Sequence, residues 1–108
     1  MQEEEVQRAS WGDVELESIS WTNEGRDMAF GVRFPDLPVI PNPRMTLHCR
    51  WASNLRMDVH RAENMGGRLL TWGARFEQTE GGWAVNFDFA ADGHISLRCS
   101  SVELTATP

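Results

Sequence analysis

Trp83-Ala84-Val85-Asn86-Phe87-Asp88-Phe89 alternates apolar and polar residues without a break, and Ile95, Leu97 and Cys99 resume the alternation after a short gap. A period of two puts every apolar side chain of such a run on one face of an extended strand. A helix would need apolar residues three and four apart, and no segment carries such a stripe over three turns. Outward from this stretch the same pattern recurs at Leu70/Trp72/Ala74/Phe76, Leu55/Met57/Val59, Met45/Leu47/Cys49/Trp51 and Met28/Phe30/Val32/Phe34. It appears again at Ile19/Trp21, at Val14/Leu16 and, beyond Cys99, at Val102/Leu104. The spacing predicts an all-β chain of about seven antiparallel strands with meander connections, folded as a β-sandwich or as a curved, partly closed sheet.

Directly paired residues must share a face, so parity restricts the hairpins. It pairs Phe89 with Ile95, Phe87 with Leu97 and Val85 with Cys99 around a loop at Ala91, Asp92 and Gly93. It pairs Phe76 with Trp83, Ala74 with Val85, Trp72 with Phe87 and Leu70 with Phe89 around Gln78 to Gly81. Trp21–Met28 and Ile19–Phe30 close the first hairpin around Glu24 and Gly25. Cys49–Met57 and Leu47–Val59 close another around Ala52, Ser53 and Asn54. The phase slips between Leu16 and Ile19 and between Cys99 and Val102, which places bulges at Glu17-Ser18 and at Ser100-Ser101. Residues 35–43 hold four of the five prolines and predict a stiff crossover to another sheet or edge. Glu63 to Gly67 reads as a turn. Of the five tryptophans, Trp21, Trp51, Trp72 and Trp83 share the parity of core neighbours, whereas Trp11 precedes the first strand and is the one expected to reach solvent.

With 108 residues the chain fits one domain, taken as residues 10–108 behind a flexible acidic arm at residues 1–9. No apolar run is long enough to span a membrane, and the acidic start lacks the layout of a secretory signal, so a cytoplasmic protein is expected. The formal net charge is −6. Residues 1–36 contain nine acids against three arginines, and residues 37–108 contain seven of each. An acidic balance argues against nucleic-acid binding. All ten basic residues are arginine, which points to a GC-rich, bacterial genome.

No catalytic signature is present: no G-x-S-x-G, no phosphate loop, no H-E-x-x-H. A non-enzymatic protein without a cofactor is therefore expected. Cys49 and Cys99 both fall on inward positions and read as buried free thiols. The predicted register sets His48 opposite Asp58 with His60 on the same face, a His/Asp/His group able to bind a divalent metal in a small ligand-binding β-module. Metal binding is the alternative function, and no metal site is favoured. Arg44, Arg50, Arg56, Arg68 and Arg75 take outward positions. They form either a basic stripe for an acidic partner or ion pairs with Glu15 and Glu17 of the acidic third.

The outward positions of the last three predicted strands are small and polar: Thr71, Gly73, Ala84, Asn86, Ser96 and Ser100, with Arg75, Asp88 and Arg98 around them. Small residues let another backbone approach closely. Thr71, Gly73, Ala84, Asn86, Ser96, Arg98 and Ser100 are accordingly the candidate contact surface for a protein partner or a second copy of the chain.

The opening from Ser10 to Trp21 and the strand ending at Phe34 resemble the start of small β-rich bacterial domains, some of them grouped as immunity proteins of contact-dependent toxin systems. That resemblance implies a cytoplasmic binding protein without catalytic residues. From the charge distribution itself, the acidic first third is expected to serve as a decoy surface for a basic partner such as a toxin nuclease or another nucleic-acid enzyme.

Overall fold

The computed structural model describes residues 6, 7, 9–35, 44–60 and 69–107. Eight strands are present among them: β1 (Glu15–Thr22), β2 (Asp27–Arg33), β3 (Arg44–Arg50), β4 (Ser53–Val59), β5 (Gly73–Thr79), β6 (Gly82–Asp88), β7 (Gly93–Cys99) and β8 (Ser101–Ala106). They form two antiparallel four-stranded sheets, ordered β1-β2-β3-β8 and β4-β7-β6-β5. The inward residues of both sheets share one core, and the predicted all-β sandwich is what the chain adopts. No helix among the described residues is long and apolar enough to cross a membrane.

Phe87 on β6 is the centre of that core. Its ring centroid lies 5.3 Å from Phe30 of the opposite sheet, 5.8 Å from Trp11 and 6.3 Å from Phe76. Met28, Leu47, Val85, Ile95 and Leu104 are fully buried around it. Each such side chain contributes about 1.5–3 kcal/mol by leaving water.

The first hairpin has the expected register, Trp21 with Met28 and Ile19 with Phe30. The expected bulge is there too, since Leu16 pairs with Val32 and Ser18 with Gly31, leaving Glu17 as the extra residue. Elsewhere parity holds but the register moves by two. Phe76 pairs with Val85 and Ala74 with Phe87, because β5 and β6 join through a two-residue turn at Glu80 and Gly81. Phe87 pairs with Ile95 and Val85 with Leu97, because a short 3-10 turn at Ala90–Asp92 takes up the residues after β6. A slip of two leaves every side chain on its face, so alternation alone cannot detect it.

The connections depart from a meander. β3 and β4 do not pair: β3 lies between β2 and β8, and β4 pairs with β7. Trp51 and Ala52 carry the chain from one sheet to the other. Ser100 is likewise a passage between sheets and not a bulge, so the seventh predicted strand is two strands, β7 and β8. The two passages are tied together, since the Ser100 amide donates to the Arg50 carbonyl at 2.8 Å. The proline-rich connection changes no sheet, because β2 and β3 are neighbours. Its residues 36–43 lie outside the described residues, as do the predicted turn at Glu63 to Gly67 and residues 1–5 and 8 of the arm. Val6 is buried, and Gln7 donates a hydrogen bond to the Phe76 carbonyl at 3.0 Å.

Tryptophan placement reverses most of the expectation. Trp11 is 3% exposed, wedged among Phe34, Phe76 and Phe87, with its indole N–H donating to the Val6 carbonyl at 3.1 Å. Trp83 is buried as expected. Trp72, by contrast, is 77% exposed, Trp51 62% and Trp21 52%. Trp72 precedes β5 at the bend where the chain leaves the β1 edge, so its parity no longer refers to the core. Trp51 sits in the sheet-to-sheet passage at φ 54° and turns outward under the Arg26 guanidinium, 4.6 Å from its ring. Trp21 keeps the inward row of Met28 but lies on an edge strand, where the facing sheet does not cover it.

Candidate functional site

The outer face of the β4-β7-β6-β5 sheet is organised in cross-strand rows. The central row reads Arg56, Ser96, Asn86, Arg75. On one side of it lie Arg98, Ala84 and Glu77, and on the other Asp58, His94, Asp88 and Gly73. Side chains two apart on a strand share a face, so the alternation that buries Val85, Phe87, Ile95 and Leu97 brings these polar and small residues together outside.

This face is hollowed. A concavity of 560 Å³ lies over Asn54, Arg56, Arg75, Glu77, Ala84, Asn86, Ser96 and Arg98. A second of 280 Å³ lies over Gly73, Arg75, Asn86, Asp88 and His94. Ala84, Ser96 and Gly73 leave the floor low, while the arginines stand at the walls. Arg75 is 3.6 Å from Glu77 in an exposed ion pair. Arg56 and Arg98 form no ion pair among the described residues. The positive rows thus keep guanidinium donors available to an outside acceptor. The opposite end is acidic: Asp58 binds His60 at 3.0 Å, and Asp88 accepts the Ala90 amide at 2.8 Å.

Of the residues chosen from sequence as a contact surface, Gly73, Ala84, Asn86, Ser96 and Arg98 are brought together here. Thr71 and Ser100 are not. Thr71 is buried before β5, where its hydroxyl accepts the Val14 amide at 3.0 Å and donates to the Trp11 carbonyl. Ser100 lies in the passage to β8, where its hydroxyl donates to the Arg50 carbonyl at 3.1 Å. Sequence reasoning placed Arg56 and Arg75 in a stripe with Arg44, Arg50 and Arg68, but they belong to this face with Arg98. Arg44 and Arg50 are on the other sheet, and Arg68 is outside the described residues. Arg44 pairs with Glu17 at 3.1 Å, as the ion-pair reading of the arginines anticipated.

The His48/Asp58/His60 group does not assemble. It rested on a β3–β4 hairpin, and those strands lie in different sheets. His48 stands on the outer face of the first sheet, 3.0 Å from the Thr105 hydroxyl and opposite Glu103, while Asp58 lies opposite His94. Among the described residues no three His, Cys, Asp or Glu side chains are grouped to hold a metal ion.

The architecture defines a small two-sheet β-sandwich with one hollowed, arginine-bearing face. No family model matches the chain, and no curated protein matches it in sequence. It is similar in structure to an uncharacterized protein from Neisseria gonorrhoeae solved by crystallography, with a TM-score of 0.64 and 13% sequence identity. The match covers 86% of this chain and 90% of that one, so the sandwich as a whole is shared.

Proposed function

We propose that this chain is a non-catalytic bacterial protein of the cytoplasm that works by binding another protein through the outer face of the β4-β7-β6-β5 sheet. The observation that carries the reading is the pairing of Arg56 and Arg98, without ion-pair partners among the described residues, with a floor of Ala84, Asn86 and Ser96. A guanidinium presents a planar fork of donors suited to carboxylates, and the small floor residues let a partner's backbone come close. The hollow is broad and open, whereas a small-molecule site encloses most of its ligand. The partner is therefore a protein with an acidic contact surface. The carboxylates of the first third are a weaker candidate surface, because Glu17 is engaged by Arg44 and Asp27 is buried. The resemblance of residues 10–34 to immunity domains adds an inhibitor-like or immunity-like mode of action to this reading.

The test is affinity capture from a bacterial lysate with the wild-type chain and with the Arg56→Glu/Arg98→Glu double variant, the fold of each checked by circular dichroism. Charge reversal should weaken capture of the partner at least about tenfold, and raising salt toward 1 M, where the Debye length falls to about 3 Å, should release it. Equal retention by both chains at every salt concentration would overturn this assignment. Solution mass separates a foreign partner from a second copy.

A further inference from the structure

We propose that Cys49 and Cys99 are a thiol-oxidation site, forming a reversible disulfide that ties one sheet to the other across the core. Cys49 points inward from β3 and Cys99 from the end of β7, and both are buried free thiols. The residues that follow them, Arg50 and Ser100, are joined by the 2.8 Å hydrogen bond between the two sheet-to-sheet passages. That bond holds the two backbones side by side where the strands end. The Cys99 thiol is the ionisable neighbour that acts on Cys49.

The two sulfurs differ in access. Cys49 is fully enclosed, and the neighbouring Cys99 thiol first, then burial, keep it well above the ordinary thiol range, so it stays protonated. Cys99 is 6% exposed and borders a surface hollow of 230 Å³ together with Trp51, Gly82, Arg98 and Ser100. A small oxidant entering that hollow meets Cys99 first.

With a peroxide as oxidant the chemistry closes. The Cys99 sulfur gives up its proton and attacks one peroxide oxygen, the O–O bond breaks, and the departing hydroxide takes up that proton to become water. Cys99 is left as a sulfenic acid. The Cys49 sulfur then attacks the Cys99 sulfur, the S–O bond breaks, and the oxygen leaves as water with the Cys49 proton. Two thiols are oxidised and one peroxide is reduced to two waters. A dithiol reductant reverses the result by exchange.

The experiment treats the folded, reduced chain with hydrogen peroxide and reads intact mass, free thiols in denaturant and a non-reducing peptide map. The expected result is loss of both thiols in a monomer, a Cys49–Cys99 crosslinked peptide, and recovery of both thiols with dithiothreitol. Thermal melting should occur at higher temperature after oxidation, because the bond constrains the unfolded chain between residues 49 and 99. In the Cys49→Ser variant the sulfenic acid should persist on Cys99 and be trapped by dimedone, whereas Cys99→Ser should react far more slowly. Crosslinks only between chains, thiols that survive until denaturant is added, or a lower melting temperature after oxidation would each overturn the proposal. The wild-type peptide map decides the question even where a serine variant fails to fold.

Discussion

Asp27 carries more of the fold than its turn position suggests. It is 4% exposed, accepts the Trp51 amide at 3.0 Å, accepts the Asn23 side-chain amide, and lies 3.5 Å from Arg26. It thereby fastens the β1–β2 turn to the passage leaving β3, where Trp51 has the positive φ that a bulky side chain rarely adopts. The Trp51 amide first, then Asn23 and Arg26, hold its carboxyl below the ordinary 3.8. A carboxylate with a lowered folded pKa adds stability above its unfolded pKa, and that stability is lost as pH falls through the folded value. Thermal melts from about pH 6 down to about pH 2 should show Asp27→Asn already destabilised at the upper end and less sensitive to acid than wild type. Parallel pH curves for the two proteins would remove this role. Core and surface aromatics should separate as cleanly. Phe87→Ala should cost about 3–5 kcal/mol in urea unfolding, while Trp72→Ala should stay within about 0.5 kcal/mol. Alternation alone paired Trp72 with Phe87 and would make both costly, so a large loss at Trp72 would favour that pairing over the observed one.

At the scale of elements, the β6–β7 connection shows how local geometry sets register. Gly93 opens β7 at φ 112°, its carbonyl accepts the Phe89 amide at 2.9 Å, and a Cβ at this position would run into the Asp58 carbonyl of β4. Only glycine satisfies both the backbone angle and the close strand approach. Gly93→Ala should therefore lose more than about 1 kcal/mol, with amide exchange faster in β4 and β7 than in β1 and β2. Uniform exchange across both sheets would mean that the strain is not borne at this junction. The loop sequence signalled a turn at Gly93. It did not reveal that the turn begins at Ala90, and this is why the expected pairing of Phe89 with Ile95 becomes Phe87 with Ile95. The Glu17 bulge was legible because it breaks parity within one strand. The two-residue shifts break nothing locally.

The whole molecule places three tryptophans in solvent and two in the core. Acrylamide should quench native fluorescence in two classes, with Trp21, Trp51 and Trp72 accessible and Trp11 and Trp83 protected. A single protected class would contradict the packing of the sandwich ends. The same architecture creates the candidate surface. β4 and β5 stand at opposite edges of their sheet, so Arg56 and Arg75 meet across a floor supplied by β7 and β6. The small floor residues Ala84, Asn86 and Ser96 could be seen in the alternation. Their company with Arg56 could not, since β4 was expected beside β3.

Local alternation determined by itself that the chain is all-β, which side chains line the core in most strands, and where the first hairpin closes. It did so because the two-residue period is a property of a single extended segment. Tertiary structure alone decided that β3 pairs with β8 and β4 with β7, that Trp11 is buried while Trp72 is not, and that Arg56, Arg75 and Arg98 share a face. Crossing between sheets through Trp51-Ala52 leaves the alternation undisturbed, and the phase slip at the Ser100 crossing is the same as a bulge within one strand would give. The choice of neighbours is made by how two twisted sheets close over Phe30 and Phe87, a long-range packing that no local period encodes.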